Sequence, residues 1–247
     1  MGWPDPATWK QWFPADLVLE CFPGQFRNWF YALLAMNTMM QDDKWADRTG
    51  GESQVTPPFK TLLGHALVRD EEGREMHKSL GNAVSFDGAA DTIGAEVMRY
   101  MYASQNPTMN LNFPDISPDR RKNVVHLDQD AYRKLLTLWN CYSFYVTYAA
   151  VDGITPDKLE VPRDARAELD RWILSKFQHL VQFARASFEQ HRIHTLMEHF
   201  ERFVDNLSNW YVRRSRRRFW KSENDTDKLA AYATLFEVIE GVCRVMA

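Results

Sequence analysis

The chain has 247 residues and a formal charge of −3, from 30 Lys and Arg against 33 Asp and Glu, so any nucleic-acid contact must come from a local basic patch and not from bulk charge. Apolar residues at 45% and charged residues at 26% are ordinary for a globular protein of one large or two modest domains. Cys21, Cys141 and Cys243 stand far apart without CxxC spacing, which argues against a zinc site or a disulfide framework, and no apolar run nears the ~20 residues of a membrane span; the chain reads as cytoplasmic, with no membrane partner.

Trp3, Pro4, Pro6, Trp9, Trp12 and Pro14 crowd residues 1–15, and the prolines predict an irregular connector. Leu17-Val18-Leu19 predicts a strand. Pro23-Gly24-Gln25 then turns the chain into residues 26–40, which are apolar, free of Gly and Pro, and read as a buried helix. Residues 42–58 are polar and end in Pro57-Pro58, predicting a loop, and 59–68 predict a second strand parallel to the first. Arg69 to Arg74 form a tight polar turn in which Gly73 supplies positive φ. A polar loop over 76–82 leads into helical patterning from Phe86 to about Ser104. Residues 105–127, with Pro107, Pro114 and Pro118, read as a linker. From Gln129 apolar residues recur at helical spacing through Tyr148, and a Pro/Gly break spans 152–162. Helices follow over about 164–190, 192–221 and 226–246, with Asp225 or Thr226 capping the last. In the middle one, Ile193, Leu196, Met197, Phe200, Phe203, Val204, Leu207 and Tyr211 share one face. This half reads as a helix bundle.

Two stretches carry chemistry. The first is Glu75-Met76-His77-Lys78-Ser79-Leu80-Gly81-Asn82. A Lys beside a Ser in a Gly-containing loop suits a phosphate, because the ammonium is a mobile point charge and Gly lets backbone approach closely. Alone, such a string is also the ordinary content of a solvated loop. The second is Asn209 to Lys221, where six cations fall within nine positions and aromatics flank them. Arg makes bidentate phosphate contacts and stacks on bases. The same helix also reads as one tied to its neighbours by ion pairs, with Glu198, Glu201, Asp205 and Glu223 close in sequence.

Order along the chain narrows these readings. The loop EMHKSLGN, followed by Gly94-Ala95-Glu96-Val97-Met98-Arg99, resembles the KMSKS-type signature loop and following helix of class I aminoacyl-tRNA synthetases. Lys78 takes the place of the second family Lys and Ser79 that of the Ser after it. Glu75 stands where the family has its first Lys, and His77 where it has its first Ser. Upstream, Phe13-Pro14-Ala15-Asp16 through Glu20, then Gln25-Phe26-Arg27-Asn28-Trp29-Phe30-Tyr31, resembles the isoleucine-type pattern FPADxxxEGxDQxRGWFY, with one extra residue between Glu20 and Gln25. Pro57-Pro58-Phe59-Lys60 resembles the strand leading into the signature loop. Asp205-Asn206-Leu207-Ser208-Asn209-Trp210-Tyr211-Val212-Arg213-Arg214-Ser215-Arg216-Arg217-Arg218-Phe219-Trp220 matches the isoleucine-type anticodon-domain run nearly throughout, and Asp170-Arg171-Trp172-Ile173-Leu174-Ser175 is typical of the preceding helix. The resemblance covers roughly 13–221.

The resemblance implies a fold and a set of roles. The fold is an α/β partial nucleotide-binding (Rossmann-like) half followed by an all-α anticodon-binding helix bundle. Residues 1–110 would be the second half of the catalytic domain with its signature loop at 75–82, 111–127 a linker, and 128–247 the anticodon-binding domain. Lys78, Ser79 and His77 are the candidate catalytic groups, with Lys78 stabilising charge on the ATP phosphates. Glu20, Gln25 and Trp29 are candidates for holding the aminoacyl-adenylate. Trp29-Phe30-Tyr31 reads in the first place as core packing. Arg213, Arg214, Arg216, Arg217, Arg218 and Trp210 are the candidate tRNA-binding residues. The implied partners are tRNA(Ile), isoleucine and ATP with Mg2+ as substrate, with no zinc. The family's HIGH-type motif and editing domain have no counterpart in these residues, so the chain is expected to be inactive alone and to need a separate N-terminal half. The alternative is a stand-alone tRNA-binding module or a decaying synthetase paralogue without catalysis.

Overall fold

A computed structural model describes residues 5–22, 24, 26–41, 56–117, 127–220 and 225–247. The chain forms two compact units, one of residues 1–83 with 105–115, the other of 84–104 with 116–247.

In the first unit the chain opens with helix α1, Pro6–Trp12, where a connector was expected. The reason is positional. Pro6 sits at the first helical position, where its missing N–H costs nothing, and the Asp5 carboxylate accepts from the amides of Ala7 and Thr8 at 3.2 and 3.4 Å. Strand β1, Ala15–Cys21, follows and pairs in parallel with β2, Phe59–His65, in a register that sets Leu17 opposite Thr61 and Glu20 opposite Gly64. Alternation along β1 buries Val18 and Glu20 and leaves Leu17 and Leu19 exposed.

Between these strands lie a π-helical stretch, Phe26–Phe30, and helix α2, Tyr31–Met40. The helix is where the pattern placed it, but it is not buried. Met39 is 75% exposed, and Phe30 is the point of packing, its ring 5.3 Å from that of Phe59. An all-apolar helix face therefore does not by itself say that anything covers it. The loop expected at 42–58 lies mostly outside the described residues. Strand β3, Val68–Arg69, pairs in parallel with β4, Leu111–Asn112. Part of the expected linker thus belongs to the first unit, fixed there by Leu111 N–H donating to Leu67 O at 3.0 Å and Phe113 N–H to Arg69 O at 2.8 Å.

The second unit is helical. Helices α3, Phe86–Ile93, and α4, Ala95–Ser104, divide at Gly94. They cluster with the bundle and not with the residues before them. Tyr100 of α4 explains this, donating its hydroxyl to Glu201 at 2.8 Å, while Lys134 reaches the same carboxylate at 2.7 Å. The remaining helices are α5, Leu127–Asp152, α6, Glu168–Glu189, α7, Ile193–Asp205, α8, Arg213–Trp220, and α9, Thr226–Met246. A π-helical segment, Asn206–Val212, joins α7 to α8. Asp225 caps α9 by accepting from Lys228 N–H at 2.8 Å. The core is Leu196, Met197, Phe200, Leu207, Tyr211, Phe219, Tyr232, Leu235 and Val238, each essentially inaccessible, and each large apolar side chain so buried contributes about 1.5–3 kcal/mol. Among the described residues no helix is long and apolar enough to cross a membrane.

Candidate catalytic loop and nucleic-acid interface

The loop after β3 is organised by two side chains that the sequence reading did not single out. Asp70 is buried, and its carboxylate accepts from Arg74 N–H at 2.7 Å, Arg74 Nε at 2.8 Å and the Asn82 amide at 2.8 Å. Burial pushes the Asp70 carboxyl up, but the Asn82 and Arg74 hydrogen bonds outweigh it and hold the group below the usual carboxylate range. Asn82 also donates to Glu75 O at 3.0 Å and accepts from His77 N–H at 2.9 Å. One amide thus ties both ends of residues 75–82 to the preceding turn. Within that frame Lys78–Leu80 form one 3-10 turn, closed by Gly81 at φ 70. That left-handed step lets the chain double back so that Asn82 reaches His77.

The candidate catalytic groups all face solvent. Lys78, Ser79 and His77 are exposed, and Lys78 makes no ion pair among the described residues. His77 Nε2 lies 3.6 Å from a Glu75 carboxylate oxygen, so the acid in place of a family Lys is directed at a neighbour on the loop. An unpaired ammonium on a framed loop can meet an anion without first losing a partner.

Glu20 closes β1 at the carboxyl end of the parallel pair, the side on which open α/β sheets bind ligands. It is 6% exposed and accepts from Cys21 N–H at 3.0 Å. Opposite it, Gly64 has no room for a side chain, since a Cβ would lie 2.8 Å from the Phe22 ring. Trp29 is 47% exposed, so of the Trp29-Phe30-Tyr31 trio only Phe30 packs inward. Gln25 lies outside the described residues.

In the helical unit the arginines separate into two groups. Arg213, Arg214, Arg216 and Arg217 are exposed on α8. Trp210, 49% exposed, carries the Arg214 guanidinium 4.6 Å above its ring, and Trp220 is held outside by its indole N–H donating to Tyr148 Oη at 2.7 Å. Arg218, named with them as a tRNA-binding candidate, is placed differently. It forms a two-pronged pair with Asp170 at 2.7 and 2.8 Å and reaches Asp227 at 2.9 Å. Helical periodicity explains the split, because 211, 215, 218 and 219 turn inward while 210, 213, 214 and 217 turn out. Asp170 is fully buried and also accepts from Tyr211 Oη at 2.7 Å and Ala167 N–H at 3.1 Å. Burial and then the Asp170 charge push the Tyr211 phenol up. Burial works against the Arg218 cation, but Asp170 more than compensates and holds it protonated. Asp170 and Tyr211 were legible only as typical family letters; no spacing rule pairs residues 41 positions apart.

Comparison with known proteins assigns these parts. Residues 1–114 match the family model for tRNA synthetases class I (I, L, M and V), and residues 170–247 that for the anticodon-binding domain of tRNA ligase. The chain thus carries a segment like the class I tRNA synthetases followed by one like the anticodon-binding domain of tRNA ligases. It is 38% identical to an isoleucine–tRNA ligase of Dehalococcoides mccartyi over 241 residues, which cover 95% of this chain and 21% of the relative. A Thermus thermophilus isoleucine–tRNA ligase is 37% identical over 243 residues, 97% of this chain and 21% of that protein. The chain therefore spans about a fifth of the length of these relatives.

Two solved synthetases share the fold. Mycobacterium tuberculosis methionyl-tRNA synthetase in complex with methionyl-adenylate aligns with TM-score 0.65 at 17% identity, covering 99% of this chain and 43% of that one. The Agrobacterium radiobacter K84 agnB2 LeuRS, in a ternary complex with tRNA and LeuAMS, aligns with TM-score 0.62 at 15% identity, covering 94% and 26%. The small parallel sheet and the helical unit thus share the fold of these structures, with the Lys78 loop in the first segment matched by a family model and the arginine helix in the second.

Proposed function

We propose that this chain is the signature-loop and anticodon-binding part of an isoleucine–tRNA ligase, which activates isoleucine with ATP and transfers it to tRNA(Ile). The observation that carries this is the continuous likeness to isoleucine–tRNA ligases along 95% of the chain, together with four exposed arginines on a single helix. In this reading residues 1–110 are the second half of a Rossmann-like catalytic domain and 128–247 the anticodon-binding domain. ATP with Mg2+ and isoleucine are substrates, and the setting is the cytoplasm.

The chemistry follows from the residues. Activation puts an isoleucine carboxylate onto the α-phosphorus of ATP and expels pyrophosphate, so negative charge builds on the phosphates. A preorganised cation that strengthens its hold as that charge develops lowers the barrier. Lys78 is such a cation, unpaired and set on a loop whose ends are pinned by Asn82. Ser79 adds a hydroxyl donor beside it. Glu20, a buried carboxylate at the sheet's ligand side, suits a polar or cationic atom of the adenylate's amino acid. On the helical unit Arg213, Arg214, Arg216 and Arg217 neutralise tRNA phosphates, and the Trp210 face serves for stacking.

ATP–pyrophosphate exchange tests this. The 247-residue polypeptide alone is expected to give no exchange, and addition of a matching N-terminal half that carries the HIGH-type motif restores it for isoleucine. Failure of every such complementation contradicts the ligase reading. One observation favours a second reading, a tRNA-binding module or decaying paralogue without catalysis: Glu75 stands where the family has Lys and lies 3.6 Å from His77. On that reading tRNA binds while exchange is never restored.

A further inference from the structure

A groove between α6 and α7 is built for an anion on an aromatic floor. It encloses about 500 Å3, within the ~300–1,000 Å3 of small-ligand sites. Lys176, His179, His199, Arg202 and Asn206 supply its polar lining, and Leu180, Phe183 and Phe203 its floor. No acid lines it. Lys176, His179, His199 and Arg202 form no ion pair among the described residues. Elsewhere in this unit Lys134, Arg166, Arg218, Lys228 and Arg244 are each paired with a carboxylate.

The groove is also preorganised. Phe183 and His199 stack face to face, centroids 3.6 Å apart and 18° from parallel. His199 Nδ1 lies 3.1 Å from Thr195 O, a contact that only a protonated Nδ1 can make as donor, and this turns Nε2 toward Arg202 Nη2 at 3.5 Å. Arg202 Nε donates back to Glu198 O at 3.4 Å, holding the guanidinium along the helix with its outer nitrogens free of any carboxylate. A fixed fork, a mobile ammonium, the His179 imidazole, an amide and the aromatic surface that includes the His199 ring, in one acid-free groove, match the two ends of a nucleotide: a phosphate to bridge the cations and a base face to lie on the rings.

We infer that this groove is a second RNA contact, which holds one unpaired nucleotide by its phosphate and its base. The inference rests on the proposed role in tRNA binding and extends it from the arginine helix to α6 and α7 of the same bundle. Its ligand is single-stranded, because a paired base would present no free face to the floor.

Fluorescence anisotropy on the full 247-residue chain tests it, with two labelled probes: a transcribed tRNA(Ile) and a single-stranded RNA 12-mer of mixed sequence. The variants are K176Q/R202Q, whose side chains are exposed and unpaired, F183L, which keeps volume but removes the ring, and R213A/R214A/R217A. Thermal melts check that each is folded. The groove variants are expected to weaken the 12-mer roughly tenfold, with K176Q/R202Q lowering the slope of log Kd against log salt by about 0.7, the share of the one phosphate that both cations hold on a single strand. Unchanged 12-mer affinity and slope in both groove variants, or no 12-mer binding by the wild-type chain, overturns the groove site. If in that case tRNA binding persists and falls only in the arginine variant, the tRNA-binding reading stands without the groove. If the wild-type chain binds the 12-mer through the groove but not tRNA(Ile), the groove stands and the reading beneath it fails.

Discussion

Replacing Arg218 with Gln separates the ion-paired arginine from the exposed ones proposed to meet tRNA. Arg218 is 14% exposed and pairs with Asp170, whose side chain is wholly inaccessible. The change removes both charge-assisted bonds and leaves Asp170 with Tyr211 and the Ala167 amide alone. Breaking a buried ion pair from one side costs about 3–5 kcal/mol. Two surviving hydrogen bonds to Asp170 place this case near the lower end, about 3 kcal/mol, since each retained bond is worth ~1–1.5 kcal/mol. At roughly 2–4 °C per kcal/mol for a chain of this size, the melting temperature of the helical unit falls by about 6–12 °C. Arg217→Gln on the same helix is the control, being exposed, and changes stability by less than ~0.5 kcal/mol. Circular dichroism melts of the two variants decide the matter, followed by tRNA titration below both transitions. Arg217→Gln weakens binding while Arg218→Gln, once folded, binds as wild type. Equal melting temperatures, or weaker tRNA binding by folded Arg218→Gln, refute the assignment.

Three further outcomes are expected. Asn82→Ala releases both ends of the signature loop, so amide hydrogen exchange across 75–82 speeds markedly while the helical unit is unaffected; unchanged exchange there would show that Asn82 does not frame the loop. Because Asp70 is held below its ordinary value near ~3.9, its contribution to stability is fully present above that pH and is lost as pH falls through the depressed value; a pH titration of the His77 amide resonance should therefore show an acid transition that Asp70→Asn abolishes. In the complemented enzyme Lys78→Ala lowers ATP–pyrophosphate exchange by about 10²–10³-fold, the usual effect of losing one preorganised charge-stabilising group, with tRNA affinity unchanged; wild-type exchange would remove Lys78 from the chemistry.

Much of the fold could be read from pattern. The parallel pair at 15–21 and 59–65, the turn at Gly73 and the Asp225 cap follow from alternation and local turn chemistry, which act within a few residues. The departures have local and long-range causes. Proline at 6 was read as a breaker although at a first helical position it is a starter. Helix 31–40 was expected to be buried because its residues are apolar, but burial is a property of neighbours. The division at 110 missed that α3 and α4 side with the bundle, since Tyr100 and Glu201 meet across 101 positions. The site divides along the same line. Lys78 and Ser79 are candidates named from a string of eight letters. Asp70 and Asn82, which hold that string, are joined only by the fold, and so is the pairing that takes Arg218 out of the arginine patch.

The most direct test of the account is the salt dependence of tRNA(Ile) binding to the 247-residue chain, measured for the wild type and for R213A/R214A/R217A. The account predicts binding that weakens steeply with salt and, in the variant, a slope smaller by about 3, one for each lost phosphate contact. Equal affinity and slope in the two proteins would contradict it.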